Sequence, residues 1–374
     1  MAGIAPEPVV TVCTDTAAFG SLREEWNRLH RSSPTATPFQ SHAWLHSWWL
    51  SYGRPGRLRV VLVRRGGRLV AAAPLMLRPL PFPVLTPLGT GISDFADVLV
   101  DEGDTESAQS AVRGLGAGLW RLARGAVIDL REVRPGSALD TLHANWPGPS
   151  RRYDDSACLE LPALPMDELV RRLPRSTAQR ARAKMRKLDA AGLERRVVPA
   201  TEAGPSVRRL LALHQLQWQD RKVTAEHITP RFTEHLSRSA ALMAETGDAV
   251  VTEFTLDGSV VAADLTLVSP RLAGGYLYGA HPSLRERKVD VATLLLRSCT
   301  EHLREAPRAT VLSLLRGTEP YKLHWRPEQL VNQRLLLARP GSAPQLAALV
   351  AGLRARASAK RVRDTWRERG GGRA

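Results

Sequence analysis

The sequence of 374 residues contains the same order of predicted elements twice, and a repeat of this size constrains the architecture more than any single motif. In the first half, two helices with apolar spacing precede a hairpin that turns at Gly66. In the second half, two helices precede a hairpin that turns at Gly258. Trp26 precedes Gly66 by 40 residues, and Trp218 precedes Gly258 by 40. This agreement in order and spacing predicts two copies of one fold.

Each hairpin is followed by further strands, a helix and a last strand. In the first half the closing helix and strand are SAQSAVRGLGAGLWRLARG and AVIDLREV, and in the second they are VDVATLLLRSCTEHLREAP and ATVLSLLRG. A strand–helix–strand ending implies mixed sheets packed against helices. We therefore predict an α/β fold of the α+β type with mixed sheets, divided into domains at 1–155 and 156–340. The segment 147–170 is the expected joint, and 341–374 is expected to be a basic helical tail.

The composition narrows the class of protein. No apolar stretch approaches the roughly 18 residues of a membrane span, and the N-terminal residues lack the basic and apolar regions of a signal peptide. We therefore expect a cytoplasmic protein. Cys13, Cys158 and Cys299 are far apart and lack the spacing of a metal site or a disulfide framework, so neither a metal nor a disulfide is expected.

The positive charge is concentrated in two segments. The formal net charge is +16, of which residues 171–196 supply ten Lys and Arg against two acidic residues. The tail after residue 340 supplies eight against two. Such a field attracts a large anion, for example a nucleotide cofactor or RNA. The alternative is a pair of solvated, Arg-rich helix faces. The cations proposed to contact RNA or phosphate are Arg175, Arg180, Lys184 and Lys187.

Polar residues cluster directly after the last predicted strand of the second half. The string RGTEPYKLHW places Arg316, Glu319, Tyr321 and Lys322 behind an apolar run. Gly317 allows the backbone to turn sharply, so these groups are expected to converge over the open end of a sheet, where α/β folds keep their clefts. The alternative is a salt-bridged corner that only anchors the last element.

These features resemble the GNAT-superfamily acyltransferases of the CelD/BcsL type, with a BioF2-like acetyltransferase domain, in which two GNAT-like domains stand in tandem. The resemblance covers most of residues 15–337, and its most specific part is the Arg-Gly-x-Glu-x-Tyr-Lys-x-x-Trp string. It implies two tandem GNAT-like domains, each a mixed sheet packed by helices, with the active site in the second. A more distant similarity is to the Fem-type aminoacyltransferases, which share the doubled layout and use aminoacyl-tRNA.

Two departures from the family pattern concern the donor. The family has an Asp four residues before the motif glycine, where this chain has Ser313. Acyl-CoA-binding GNATs also place a Gly-rich turn before the helix that follows the central strand, because backbone N–H groups there hold the pyrophosphate. The corresponding HPSLRERKVDVATLLL contains no glycine. The donor-binding candidates are therefore the cations Arg285, Arg287, Lys288 and Arg316.

Direct attack by an amine requires a base, a donor for the oxyanion and an acid for the leaving group. Glu319 is a candidate to accept the amine proton, and Tyr321 and Lys322 are candidates to stabilise the oxyanion. Asp264 is a second base candidate, because it interrupts an apolar strand and a buried carboxylate has a raised pKa. Its alternative is a solvated or Arg-paired carboxylate. Tyr278 lies on the strand where GNATs open their sheet and is a candidate acid.

The first half offers candidates for acceptor recognition. Asp94 and Asp97 lie in a loop that enters a strand, and with Trp218 they are the acceptor-binding candidates. The aromatic residues Phe39, Trp44, Trp48 and Trp49 of PFQSHAWLHSWW are expected to be core.

Three hypotheses follow. The first is a GNAT-type N-acyltransferase that uses acyl-CoA, as the family resemblance implies, and a small-molecule amine or amino sugar. The second is a Fem-like, aminoacyl-tRNA-dependent transferase, which the missing glycine turn and the basic segment favour. The third is a catalytically degenerate GNAT scaffold.

Overall fold

The computed structural model describes residues 7–79, 81–103, 105–217, 224–305 and 309–370. Its described part contains thirteen strands and thirteen α-helices. The strands are β1 (Val9–Cys13), β2 (Leu58–Arg65), β3 (Arg68–Arg78), β4 (Val84–Pro87), β5 (Leu99–Val100), β6 (Val127–Val133), β7 (Ser150–Pro162), β8 (Glu194–Val197), β9 (Ala249–Leu256), β10 (Ser259–Val268), β11 (Leu272–Ala280), β12 (Val311–Arg316) and β13 (Glu328–Leu337). The helices are α1 (Thr16–Ser21), α2 (Arg23–Ser32), α3 (His42–Tyr52), α4 (Thr105–Leu122), α5 (Ala138–Ala144), α6 (Met166–Arg171), α7 (Arg175–Asp189), α8 (Ala200–Gln217), α9 (Pro230–Ala244), α10 (Ser283–Glu286), α11 (Val291–Glu305), α12 (Pro320–Leu323) and α13 (Ala343–Gly370).

One mixed sheet contains all the described strands, in the order β1-β2-β3-β4-β6-β13-β7-β12-β11-β10-β9-β8, with β5 paired to β3. The parallel pairs are β4 with β6 and β11 with β12. The predicted mixed α/β fold is therefore confirmed, but the two halves share one continuous sheet. The reason is the path of β13, which lies between β6 and β7 and so joins the end of the second half to the first.

The two hairpins of the repeat are present as predicted. The first turns at Gly66 and Gly67, with φ of 56° and 80°, and the second at Asp257 and Gly258, with φ of 52° and 78°. Positive φ at both central residues is the geometry that matches the right-handed twist of a two-residue hairpin. The helices that precede the hairpins are also present, and Ser41 caps α3 by accepting a hydrogen bond from the backbone N–H of Trp44.

The joint between the halves is a strand. The segment 147–170 contains β7, a strand of 13 residues that pairs with both β12 and β13. The predicted domain boundary between residues 155 and 156 falls inside it, and the division into two domains stays a prediction. Because β7 belongs to the sheet on both sides of that boundary, the described structure offers no flexible linker there.

An apolar cluster holds the two halves together. It combines aromatic residues of α3 and the preceding turn with leucines of α8 and α9, and α3 packs on α9. Phe39, Trp44, Trp48 and Trp49 are all buried, which confirms that they are core. The indole nitrogen of Trp44 donates to Ser93 Oγ at 2.8 Å, so the loop before β5 is tied to this core.

Candidate active site

The candidate site is the gap where β11 and β12 separate. Their parallel pairing ends at Gly274 and Ser313, although β11 continues to Ala280 and β12 to Arg316. A cavity of about 500 Å³ lies between the diverging ends. The predicted polar residues that line it are Asp94, Asp264, Tyr278, Arg316, Glu319, Tyr321 and Lys322.

The backbone bends sharply at the end of β12. Leu315 has φ of 59° and Gly317 has φ of 102°, and the register of β12 with β7 shifts between Ser313 and Arg316. The backbone N–H of Leu315 donates to Ser313 Oγ at 3.1 Å, so Ser313 supports this bulge. A Cβ at residue 317 would lie 2.5 Å from Glu319 Oε1. The φ of 102° at residue 317 favours glycine, and the turn directs the chain into α12 at the mouth of the cavity.

Asp264 lies at the buried side of the cavity. It is 2% exposed on β10, an interior strand. Its oxygens accept hydrogen bonds from Thr266 Oγ1 at 3.1 Å and Ser298 Oγ at 3.2 Å. Burial raises the pKa of Asp264 to about 7, and the hydroxyl donors and the charge of Arg195 oppose that rise only partly. The solvated-edge alternative for Asp264 therefore does not describe its surroundings. A carboxyl group with this pKa exchanges its proton near neutral pH.

Two tyrosines provide hydroxyl donors at the cavity. Tyr278 is the cross-strand partner of Asp264, and Tyr321 lies on α12. Burial raises the pKa of both phenols, so both keep their protons at neutral pH. Tyr276 differs from them: it is left out of the β10 register at a bulge, and its hydroxyl donates to the Ile92 carbonyl oxygen at 2.9 Å. It thus ties β11 to the first half.

Glu319 and Lys322 form an ion pair at the cavity mouth. The Lys322 ammonium lies 2.8 Å from Glu319 Oε2 and donates to the Arg316 carbonyl oxygen at 2.8 Å. Lys322 is buried, whereas the Glu319 side chain is 51% exposed. The Glu319–Lys322 contact expected for a salt-bridged anchoring corner is present. Both residues nevertheless line the cavity, so the contact alone does not separate an anchoring role from a chemical one.

Arg316 connects the site to the first half. Its guanidinium forms ion pairs with Asp94 and with Glu132, the latter at 2.8 Å. Asn332 of β13 donates its amide to Glu132 Oε2 at 3.2 Å and to the Asp94 carbonyl oxygen at 3.4 Å. Burial raises the pKa of Asp94, and the Arg316 charge opposes this rise. With two carboxylates already bound, Arg316 acts as a bridge between the halves.

The loop that carries Asp94 is held by the first-half core. Gln40 donates its amide to the Phe95 carbonyl oxygen at 3.0 Å, and the Phe39 ring contacts the Phe95 ring at 5.7 Å. Asp97 lies in the same loop but outside the lining described for the cavity. It accepts hydrogen bonds from the first backbone N–H groups of α5, and burial raises its pKa to about 6.

The cations predicted to bind the donor have a different environment. Arg285, Arg287 and Lys288 are exposed on and after α10, and they are not among the described residues that line the cavity. Arg287 lies 3.4 Å from Asp257. At the start of α11, the Asp290 carboxylate accepts the backbone N–H of Thr293 at 2.9 Å. A carboxylate therefore occupies the position where a backbone cradle would hold a pyrophosphate, and this helix end does not fit that role.

The basic segment is a helix with an exposed cationic face. Helix α7 buries Ala178, Ala181 and Leu188 and exposes its Lys and Arg residues. The predicted contacts lie on this face: Arg175, Arg180, Lys184 and Lys187. Lys184 pairs with Asp290 at 2.7 Å, which fixes the helix beside the start of α11. Trp218, the remaining acceptor candidate, lies outside the described residues.

Some residues at the site were not predicted. Among them are Glu132 and Asn332, and also His227, which lines the cavity and hydrogen-bonds through Nδ1 to His214 Nε2 at 3.3 Å. Burial lowers the pKa of His227 to about 4, so it is neutral at pH 7. Glu132 and Asn332 meet Arg316 only because β13 pairs with β6, and no local pattern in the sequence reports that pairing.

Part of the chain is similar to a known protein family. Residues 175–323 match the family model described as an acetyltransferase (GNAT) domain. This range covers α7 to α12 and therefore most of the cavity lining. No curated protein shows significant similarity to this chain.

Several solved structures share the fold over most of their length. FemX is similar with a TM-score of 0.58 at 12% identity, covering 84% of this chain and 95% of its own. The C-terminal domain (DUF2156) of a protein named as a lysylphosphatidylglycerol synthetase from Agrobacterium fabrum has a TM-score of 0.55 at 15% identity, covering 91% and 96%. L-PGS from Bacillus licheniformis has a TM-score of 0.52 at 11% identity, covering 94% and 98%. These likenesses establish the fold, and with the family model they support a transferase.

The described residues also lack two other features. None of the described helices combines the length and apolar content needed to cross a membrane. Within the same residues, no three His, Cys, Asp or Glu side chains are grouped to hold a metal ion.

Proposed function

We propose that this chain is an acyltransferase that moves an acyl group from an activated donor to an amine in the cavity between β11 and β12. One observation carries the proposal: the cavity brings together Asp264, Tyr278, Glu319, Tyr321 and Lys322. These residues come from three separate elements, and they supply a base with a pKa near 7 and protonated hydroxyl donors. Those are the groups that direct amine attack on a carbonyl requires.

The transfer step uses these groups in order. The amine nitrogen attacks the carbonyl carbon of the donor, which forms the C–N bond and moves the carbonyl π electrons to oxygen. When the C=O bond forms again, the bond to the leaving sulfur or oxygen breaks. Asp264 accepts the nitrogen proton, and the Tyr278 hydroxyl protonates the leaving group. The proton on Asp264 then returns to Tyr278, which restores both residues.

The remaining residues stabilise the developing oxyanion or hold other side chains in position. Tyr321 and Lys322 are placed at the cavity mouth to donate to the developing oxyanion, and Glu319 holds Lys322 through their ion pair. Arg316 keeps Asp94 at the cavity wall. We propose that Asp94 contacts the acceptor amine from the first half, because it is the first-half carboxylate that both lines the cavity and lies near the second-half groups.

The first candidate for the finer assignment is the CelD/BcsL-type N-acyltransferase, which takes acyl groups from acyl-CoA to a small-molecule amine or an amino sugar. Its support is the position of the specific RGTEPYKLHW string, because Arg316, Glu319, Tyr321 and Lys322 of this string line the cavity. Arg285 and Lys288, exposed near the start of α11, are the side chains available to a CoA phosphate in place of a backbone cradle.

The second candidate is transfer from aminoacyl-tRNA. It is favoured by the Asp290 carboxylate at the start of α11, which disfavours a bound pyrophosphate there, and by the exposed cations of α7 next to it. One of the proteins that share the fold is named as a lysylphosphatidylglycerol synthetase, and this name implies a product that contains a lysyl group. If α7 binds RNA, the affinity should fall steeply with added salt.

Ligand-induced thermal stabilisation tests the donor. A ligand at 100 times its dissociation constant stabilises the native state by about 2.7 kcal/mol. Acyl-CoA thioesters should raise the melting temperature if the first candidate is correct, and charged tRNA should do so if the second is. Replacing Arg175 and Arg180 together by Ala should abolish only the tRNA effect, whereas Arg113→Ala on α4 is the control. No stabilisation by either donor would favour the degenerate scaffold and contradict the proposed function.

A further inference from the structure

The cavity has two chemically different walls. The polar wall contains the carboxylates, phenols and cations described above. A second wall, formed largely by α11 and β12, is apolar: it consists of Ala292, Leu295 and Leu296 of α11, Leu312 and Leu314 of β12, and Trp325. Catalysis of acyl transfer by the polar groups does not require this second wall.

The apolar wall is a continuous helix face. Ala292, Leu295, Leu296 and Cys299 have the i, i+3, i+4, i+7 spacing that aligns side chains along one side of a helix. Leu296 and Cys299 belong to the core cluster beneath, whereas Ala292 and Leu295 are only half-buried. Leu314 and Trp325 are also half-buried and pack on the same cluster. Four apolar side chains at the cavity therefore retain surface that a ligand can cover.

We infer that the transferred acyl group is apolar and larger than acetyl, and that it lies against α11, β12 and Trp325. This inference rests on the proposed function, because it names the acyl group of that reaction. The polar wall then holds the carbonyl carbon near Asp264 and Tyr278, and the carbon chain extends along the apolar wall. A cavity of about 500 Å³ has room for such a group beside the reacting atoms.

The hydrophobic effect gives the expected size of the preference. Each methylene removed from water contributes about 0.8 kcal/mol, which corresponds to an affinity gain of about fourfold. Affinity should therefore rise about fourfold per added carbon until the chain reaches the end of the wall. An acetyl group touches little of this wall and gains little.

The measurement is calorimetric binding with two series of probes. The first is CoA, acetyl-CoA, butyryl-CoA, hexanoyl-CoA and octanoyl-CoA. The second is 3′-aminoacylamino-3′-deoxyadenosine, a stable mimic of the charged tRNA end, with glycyl, alanyl, leucyl and phenylalanyl groups. A gradient in the first series identifies a fatty-acyl source and a gradient in the second an aminoacyl source. Either gradient supports the inference.

Leu295→Trp tests the location. The larger ring fills the space beside the apolar wall, so hexanoyl-CoA or the leucyl probe should bind at least tenfold more weakly. Acetyl-CoA or the glycyl probe should stay within about twofold. Leu50→Trp, at an exposed position of α3, is the matched control and should change neither. If Leu295→Trp does not fold, Ala292→Leu adds a smaller group to the same helix face and replaces it.

Several results would overturn the inference. Equal affinity for CoA and hexanoyl-CoA would mean that the wall contacts a part of the donor other than the acyl group. The inference would also be wrong if affinity did not change with the length of the acyl group, or if Leu295→Trp weakened the binding of all probes equally. Either result would leave the proposed function intact. Absence of binding in both series would contradict the proposed function and this inference together.

Discussion

The two halves of the sheet are two copies of one arrangement, and they differ most at the pair of parallel strands in each copy. We call this pair the seam: it is β4 and β6 in the first half and β11 and β12 in the second. In the first half, β4 and β6 pair at Val84 and Leu85, and the chain then returns so that Ala96 bridges to Val133. The backbone N–H of Ala96 donates to the Glu132 carbonyl oxygen at 2.9 Å, which closes the seam. In the second half, β11 and β12 separate and the cavity lies between them.

The side chains at the closed seam and at the open seam also differ. Counted from Gly67 and Gly258, the second turn residue of each hairpin, Ala73 occupies in β3 the position that Asp264 occupies in β10. The helix that precedes the last strand of each copy also differs: Leu115 and Leu119 of α4 are fully buried, whereas Leu295 of α11 is half-buried and lines the cavity. The closed copy thus has an ordinary apolar core where the open copy has a carboxylate and uncovered apolar surface.

One feature is common to both seams. The last strand of each copy contains a non-glycine residue in the left-handed region, Glu132 with φ of 57° and Leu315 with φ of 59°. Such conformations cost about 1–3 kcal/mol and persist only where the surroundings enforce them. Because both copies have this bend, it belongs to the fold. The comparison therefore separates the backbone geometry, which is shared, from the acid–base groups, which occur at the open seam.

The largest effect is expected when the charge of Asp264 is removed from the open seam, because the closed seam has no carboxylate at the corresponding position. Asp264→Asn should lower kcat about 10³-fold, within the range of a positioned general base. The same change should stabilise the fold by up to about 4 kcal/mol at pH 8, because it removes a buried charge whose pKa is raised to about 7. Steady-state kinetics and chemical denaturation measure the two effects. Retained turnover would remove Asp264 from the mechanism.

Glu253→Gln is the matched control for this variant. Glu253 is a buried carboxylate on the neighbouring strand β9, and it pairs with Arg196 and Arg209 outside the described cavity lining. Its replacement should lower the free energy of unfolding by about 2 kcal/mol and leave kcat/KM unchanged. Asp264 and Glu253 therefore should give opposite patterns of stability and activity.

Much of the fold could be predicted because its signals are local. The hairpin at Gly258, the helix α11 and the strand β12 each follow from periodicity and turn residues within about 20 positions of sequence. The path of β13 is different, since the pairing of Asn332 beside Glu132 joins positions about 200 residues apart along the chain. A single sequence contains no pattern that reports such a pairing.

The same distinction applies to the site. The polar string at Glu319 was visible because its residues are consecutive, and Asp264 was visible because it interrupts an apolar strand. The ion pairs of Arg316 with the first half were not visible in the sequence, and its contact with the donor stays a prediction. His227 gave no signal, because it reaches the cavity lining through tertiary contacts such as its hydrogen bond with His214.

The second largest effect concerns the corner at the open seam. Glu319→Gln and Lys322→Ala should each lower kcat/KM about 10²-fold with little change in melting temperature, because their ion pair orders donors at a partly exposed cavity mouth. Asp167→Asn, which breaks an exposed ion pair with Arg171 on α6, is the control and should change neither quantity. If activity and melting temperature fall together, the corner serves as an anchor.

A smaller effect is expected from pH. Asp264 has a pKa of about 7, so its base form declines as the pH falls below 7, and kcat/KM should drop about fivefold between pH 7 and pH 6. The free energy of unfolding should instead rise as the pH falls from 7 to 4. In this range the native state keeps a proton on Asp264, whereas the unfolded state releases it. Asp264→Asn should remove the contribution of this carboxyl group to the pH dependence of kcat/KM and of the free energy of unfolding. A pH profile of kcat/KM that keeps its slope in this variant would assign the proton to another group.

The smallest expected effect tests whether the two copies unfold as one body. Gly67 and Gly258 have φ of 80° and 78°, and a Cβ at either would meet nothing within 4 Å. Gly67→Ala and Gly258→Ala should therefore each cost about 1 kcal/mol, from backbone conformation alone, and leave kcat/KM unchanged. Because β13 joins the halves in one sheet, we expect both variants to shift the same single denaturation transition. Two separate transitions, each sensitive to only one glycine, would show that the closed and open copies are independent folding units, and that the shared sheet does not couple them.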